Sequence, residues 1–145
     1  MKRIVIILLS LLAVCQFFRP ERNSGITGGP DAIQNVTQVP DTVMSVLRNA
    51  CYDCHSNRTE YPWYTNIQPV GWWLADHVKE GKGELNFDAF GTYSPEKALH
   101  KLDESEEVIR KGEMPLKSYL LLHPKAKLSD KQKEMIFNWI SEVKK

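Results

Sequence analysis

Cys51 and Cys54 are separated by two residues and His55 follows at once, in the stretch NACYDCHSN from Asn49 to Asn57. Two thiols and an imidazole at this spacing suit three chemistries: a metal held by sulfur and nitrogen, thiol–disulfide exchange, or covalent attachment of a haem. A structural zinc site takes four ligands, usually with a second close pair. The remaining histidines, His77, His100 and His123, each lie more than twenty residues from the next. A thioredoxin-type pair belongs between a strand and a helix, and no alternating strand pattern of useful length is present. Haem c attachment uses every residue of the motif, since each thiol adds to a porphyrin vinyl group as a thioether and the histidine is set beneath the ring. Cys51 and Cys54 are therefore the expected attachment points of one covalent haem c, with His55 as proximal iron ligand.

The opposite face of the iron needs a second ligand. In KGEMPL, Lys111 to Leu116, Met114 follows a helix-stopping glycine and precedes Pro115, which fixes the backbone and removes an amide. It lies about sixty residues beyond the motif, far enough for the chain to cross the ring. His77, in a tryptophan-rich helical stretch, is the alternative sixth ligand, and an open or water-filled position is the third possibility. Met44 and Met135 fall on apolar helix faces and read as core; His100 and His123 read as surface or loop residues. Trp63, Tyr64, Trp72 and Trp73 offer large apolar surfaces to a flat macrocycle. Tyr61, Pro62 and Trp63 are the foremost candidates for contact because they follow His55 closely.

The elements that would position these residues are helical. Asp41 after Pro40 opens a helix from Thr42 to about Cys51, with Val43, Val46, Leu47 and Ala50 at three-to-four spacing. Val70 to Glu80 reads as a second helix, ended by Gly81 and Gly83. Ser94, Pro95 and Glu96 start a third that runs to Lys111 and stops at Gly112. Ser129 and Gln132, in capping-box spacing, open a last helix to Lys144 that buries Met135, Ile136, Trp139, Ile140 and Val143. The expected fold class is all-α, one compact domain over 41–145.

Ahead of it, Lys2 and Arg3 precede an apolar run from Ile4 to Phe18 broken only by Ser10 and Gln16. As a helix this run would rise about 22 Å, short of a hydrocarbon core of about 30 Å. No small-x-small cleavage site follows, and Phe17, Phe18 and Arg19 resemble an interfacial border, so residues 1–19 read as an uncleaved export signal and membrane anchor. Acylation at Cys15 and a cleaved secreted form are the other options. Each places the rest of the chain outside the cytoplasm, on the periplasmic side, where free thiols oxidise unless they are occupied. Residues 20–40, rich in Gly, Asn, Thr, Gln and Pro, read as a flexible tether. With 19 Lys plus Arg against 18 Asp plus Glu, the net charge of +1 gives no general attraction for nucleic acid.

The chain resembles the small haem-binding domain proteins of bacteria. The residues that carry the resemblance are QFFRPERN at Gln16 to Asn23, NACYDCHSNRTEYPWY at Asn49 to Tyr64, VGWWLADHVKEGKGELNF at Val70 to Phe87 and GEMPLKSYLLLHPKAKLS at Gly112 to Ser129. It implies an N-terminal membrane segment, a single CxxCH and a compact helical domain similar in style to c-type cytochromes. Cys15 departs from the aliphatic residue expected within the anchor.

The expected function is electron transfer rather than catalysis, with redox proteins of unknown identity as partners. Iron held on both faces changes oxidation state with little rearrangement, and a methionine ligand raises its potential. The competing class is a haem sensor or peroxidase-like enzyme, which needs a vacant sixth position beside acid–base groups such as Glu113 or His77.

Overall fold

The computed structural model describes all 145 residues, and its regular structure is helical throughout, with no strand beyond one isolated antiparallel bridge between Ser24 and Arg58. The helices are α1 (Lys2–Cys15), α2 (Ile33–Val36), α3 (Asp41–Ala50), α4 (Tyr52–His55), α5 (Val70–Glu84), α6 (Pro95–Arg110), α7 (Lys117–Leu122) and α8 (Asp130–Val143).

Three of the long helices begin and end where their sequence signals lie. The apolar positions of α3 turn Val43, Val46, Leu47 and Ala50 inward, together with Met44. Ser94 caps α6 by accepting from the Lys97 amide, and Pro95 occupies the first turn, where its missing N–H costs nothing. A full capping box between Ser129 and Gln132 starts α8, which buries Ile136, Phe137, Trp139 and Ile140. Leu102 and Ile109 of α6 meet these side chains, and the fully buried Leu102, Ile136 and Ile140 each contribute about 1.5–3 kcal/mol of transfer free energy.

Two expectations are corrected. Gly81 and Gly83 do not end α5, which continues to Glu84. A glycine inside a helix costs only about 1 kcal/mol, and packing at Gly81, described below, outweighs that preference. Nor do residues 20–40 behave as a tether. Ala32 and Ile33 have no exposed surface, and Ile33 belongs to the central apolar cluster. The Gly28 amide donates to Asp88 at 2.8 Å, the Asn23 side chain donates to the Ser56 carbonyl and to Thr59, and the Gln38 carbonyl accepts from the Trp139 indole at 3.0 Å. The segment is short of apolar periodicity because it is fastened by individual polar contacts and one isoleucine rather than by a face.

The apolar side chains of α1 are exposed and none of its residues is buried. No helix of the structure is long and apolar enough to cross a membrane. Directly after α1, Gln16 pairs with Gln68 through two hydrogen bonds, its Nε2 donating to the Gln68 carbonyl at 3.1 Å and its Oε1 accepting from the Gln68 amide at 2.9 Å. The Trp72 indole N–H donates to the Phe18 carbonyl at 2.5 Å.

Candidate cofactor site

The motif is a single helical turn. Cys51 closes α3 and opens α4, and the amides of Cys54 and His55 both donate to the Cys51 carbonyl. This turn packs directly on α5: a Cβ at Gly81 would lie 2.8 Å from the Cys54 carbonyl oxygen and 3.1 Å from its Cβ, so only glycine allows the approach. At the other end of α4, Asp53 accepts from the Tyr119 hydroxyl at 2.6 Å and from the Glu60 amide at 3.1 Å, and its carbonyl accepts from Thr59 at 2.6 Å. Burial first and the Asp53 bond second push the Tyr119 hydroxyl well above its ordinary pKa.

His55 is held through Nδ1, which lies 3.1 Å from the Leu85 carbonyl. A carbonyl only accepts, so Nδ1 carries the proton and Nε2 keeps the lone pair that a metal needs. Burial holds the imidazole pKa below its usual value, against the opposing pull of the Leu85 and Gly81 carbonyls and of Glu84, and so favours the neutral ring. Phe87 stands edge-on to it at 6.3 Å between ring centres. The Cys51 thiol is pushed up to about 12 by burial and then by Cys54, and the Cys54 thiol to about 11 by burial and then by Asp53.

Met114 is delivered by the end of α6. Gly112 takes φ +70°, and the Gly112 amide donates to Ile109 and the Glu113 amide to Val108 at 3.1 and 2.9 Å. This paired pattern is a Schellman ending, in which the left-handed residue reverses the chain. Met114 then packs against the core rather than into solvent.

Cys51, His55 and Met114 line one cavity of about 370 Å³, within the usual range of roughly 300–1,000 Å³ for small-molecule sites. Its floor is apolar, with Leu47, Leu85, Phe87, Leu102, Ile136 and Trp139 among the lining side chains. Its rim is charged. Lys101 bridges Glu104 at 2.7 Å and Glu84 at 3.2 Å, and Lys111 stands nearby, paired with Glu107 at 2.5 Å. An apolar planar body with an ionised edge suits such a cavity, and the donor set, one neutral imidazole and one thioether beside a thiol, suits haem iron. No cluster of three or more His, Cys, Asp or Glu that could hold a bare metal ion exists.

Other expected site residues lie elsewhere. Cys54 is absent from the cavity lining and faces Gly81 of α5. The Tyr61 hydroxyl accepts from the Asn23 amide at 2.7 Å, fixing the N-terminal segment. Trp63 is 76% exposed, Trp73 46% and Trp72 38%, and none of the three touches the cavity. The aromatic wall expected from these residues is replaced by aliphatic side chains with Phe87 and Trp139. His77 lies on the outer face of α5, its Nδ1 2.9 Å from the Trp73 carbonyl and its ring 4.2 Å from the Trp73 ring, away from the cavity. Sequence reasoning did not assign Leu85, Phe87, Gly81, Lys101 or Tyr119 to the site. The ELNF run, with Leu85 and Phe87 alternating, was the one visible signal.

No curated protein and no solved structure matches the sequence. A family model for the haem-binding domain does match, over residues 10–142, a span that takes in α4, the Leu85 carbonyl, Met114 and every side chain of the cavity. The chain belongs to the haem-binding domain family.

Proposed function

We propose that the protein is a c-type cytochrome of the electron-transfer kind, exported and held at the periplasmic face of a membrane by residues 1–19. Haem c would be joined by thioethers to Cys51 and Cys54 and held by His55 and Met114. The observation that carries this reading is the convergence of Cys51, His55 and Met114 on one apolar cavity, with the imidazole proton committed to Leu85. When bound, haem supplies a one-electron iron couple. The rest follows from the chain. His55 presents Nε2 in a fixed tautomer, Met114 offers a soft sulfur from a rigid turn, and the apolar floor excludes water. With His55 and Met114 both holding the group, no coordination site would remain for a substrate, which favours electron transfer over catalysis.

Cofactor attachment is tested by acid and solvent extraction of protein made with a haem c maturation system, since thioether-bound haem stays with the chain and coordinated haem does not. The axial assignment is tested by Met114→Ala. Oxidised wild type should show the weak near-infrared band of a sulfur–ferric iron bond; the variant should lose it, bind carbon monoxide readily and fall in reduction potential, while His77→Ala keeps the band. Fast, complete carbon monoxide binding by the wild type would replace electron transfer with the sensor or enzyme reading.

A further inference from the structure

The tryptophans that the cavity does not use share a location. Trp63, Ile67, Val70 and Trp73 are all exposed, at 76, 45, 38 and 46%. They lie on the turn Trp63–Asn66 and the first turns of α5, on either side of Gln68, the residue clamped to Gln16 at the end of α1. Val70 and Trp73, three apart, share one face of α5. Phe17 and Phe18, also exposed, complete the patch from the α1 side. By contrast, Trp139 is buried, with its indole N–H bonded to Gln38.

We infer that this aromatic face is a lipid-contact surface resting at the membrane–water boundary. The inference rests on the proposal that residues 1–19 attach the chain to a membrane. Three observations choose a bilayer as the occupant. The first is continuity, because the patch runs directly into a helix whose apolar side chains from Ile4 to Val14 are all exposed. The second is reach: fourteen residues rise about 21 Å, less than the hydrocarbon thickness of about 30 Å, so the residues following α1 stay near the boundary it enters. The third is absence of slack, since the two Gln16–Gln68 bonds and the Trp72–Phe18 bond begin within three residues of α1. A face fastened there has nowhere to be but beside the headgroups. Tryptophan suits that position, with an apolar ring for the acyl boundary and an N–H for the wet side, and exposed Arg19 supplies a cation at the same level.

The test uses the full-length reduced holoprotein carrying 5-fluorotryptophan, reconstituted in phosphatidylcholine–phosphatidylglycerol vesicles with and without a gadolinium-headgroup lipid. Trp63→Phe, Trp72→Phe and Trp73→Phe assign the four fluorine resonances, the last by elimination, and Trp139 is the internal control. Trp63 and Trp73 should broaden at least threefold more than Trp139 when the gadolinium lipid is present. Vesicle-bound protein in which they broaden no more than Trp139 overturns the inference and leaves membrane attachment standing. The same result accompanied by cross-linking between copies through this face assigns it to a dimer instead. Protein that fails to float with vesicles overturns the attachment and the lipid face together.

Discussion

Gly81 and Cys54 touch backbone to backbone: the position a Gly81 side chain would take is 2.8 Å from the Cys54 carbonyl oxygen. The helix that carries the Leu85 carbonyl at its end is thereby pressed onto the turn that carries the imidazole, and the His55–Leu85 bond depends on that distance.

Gly81→Ala should therefore destabilise the fold by about 1–3 kcal/mol through overpacking and reduce the fraction of purified protein that carries haem. Gly83→Ala is the matched control, because nothing lies within 4 Å of its added Cβ; it should gain about 0.5–1 kcal/mol of helix stability. Urea denaturation and the ratio of haem to protein absorbance read both.

Ile33→Ala should cost about 2–5 kcal/mol, as for any fully buried isoleucine whose site cannot collapse. A chain beginning at Asp41 loses this residue altogether, along with the Gly28 and Asn23 contacts, and should melt well below one beginning at Pro20. Equal melting temperatures would restore the tether reading.

Tyr119→Phe removes the hydroxyl that Asp53 accepts from at 2.6 Å. A hydrogen bond to a charged group is worth about 1.5–3 kcal/mol, and the Glu60 amide still holds the carboxylate. The variant should unfold at lower urea with an unchanged near-infrared band, since Tyr119 braces the motif and does not line the cavity.

The thiols give a pH prediction for protein made without haem attachment. Both folded-state values, about 12 for Cys51 and about 11 for Cys54, lie above the ordinary 9.0. The folded chain then keeps protons that the unfolded chain releases, so their contribution to stability is complete below pH 9 and is lost as pH rises through about 12. At pH 8, iodoacetamide should modify Cys54 about a hundredfold, and Cys51 about a thousandfold, more slowly than free cysteine. Holoprotein should lack this part of the alkaline sensitivity, because thioethers do not ionise.

The helices α3, α6 and α8 were legible because their signals are local: Asp41 after proline, Ser94 with Pro95, and Ser129 with Gln132 each act within one turn. The turn that brings Met114 to the cavity was legible for the same reason, since the glycine that stops α6 also sets it. What the sequence hid was relational. Trp63 and Trp73 have the composition of a haem wall, and only the fold shows that they face outward. The group that orients His55 is a backbone carbonyl, which every residue possesses, so nothing at position 85 advertised it. Gly81 reads as a helix stop from sequence because its partner, Cys54, is remote along the chain.

The Gln16–Gln68 clamp bears on how the protein would meet its redox partners. A loose 21-residue linker would let the domain wander over an r.m.s. distance of about 25 Å, swinging its cofactor between donor and acceptor. Clamped, the domain has no such sweep. On the proposed attachment and function, its cofactor would stay at one height above the lipid, and exchange would proceed by lateral collision with partners that present their own redox centres at the same height.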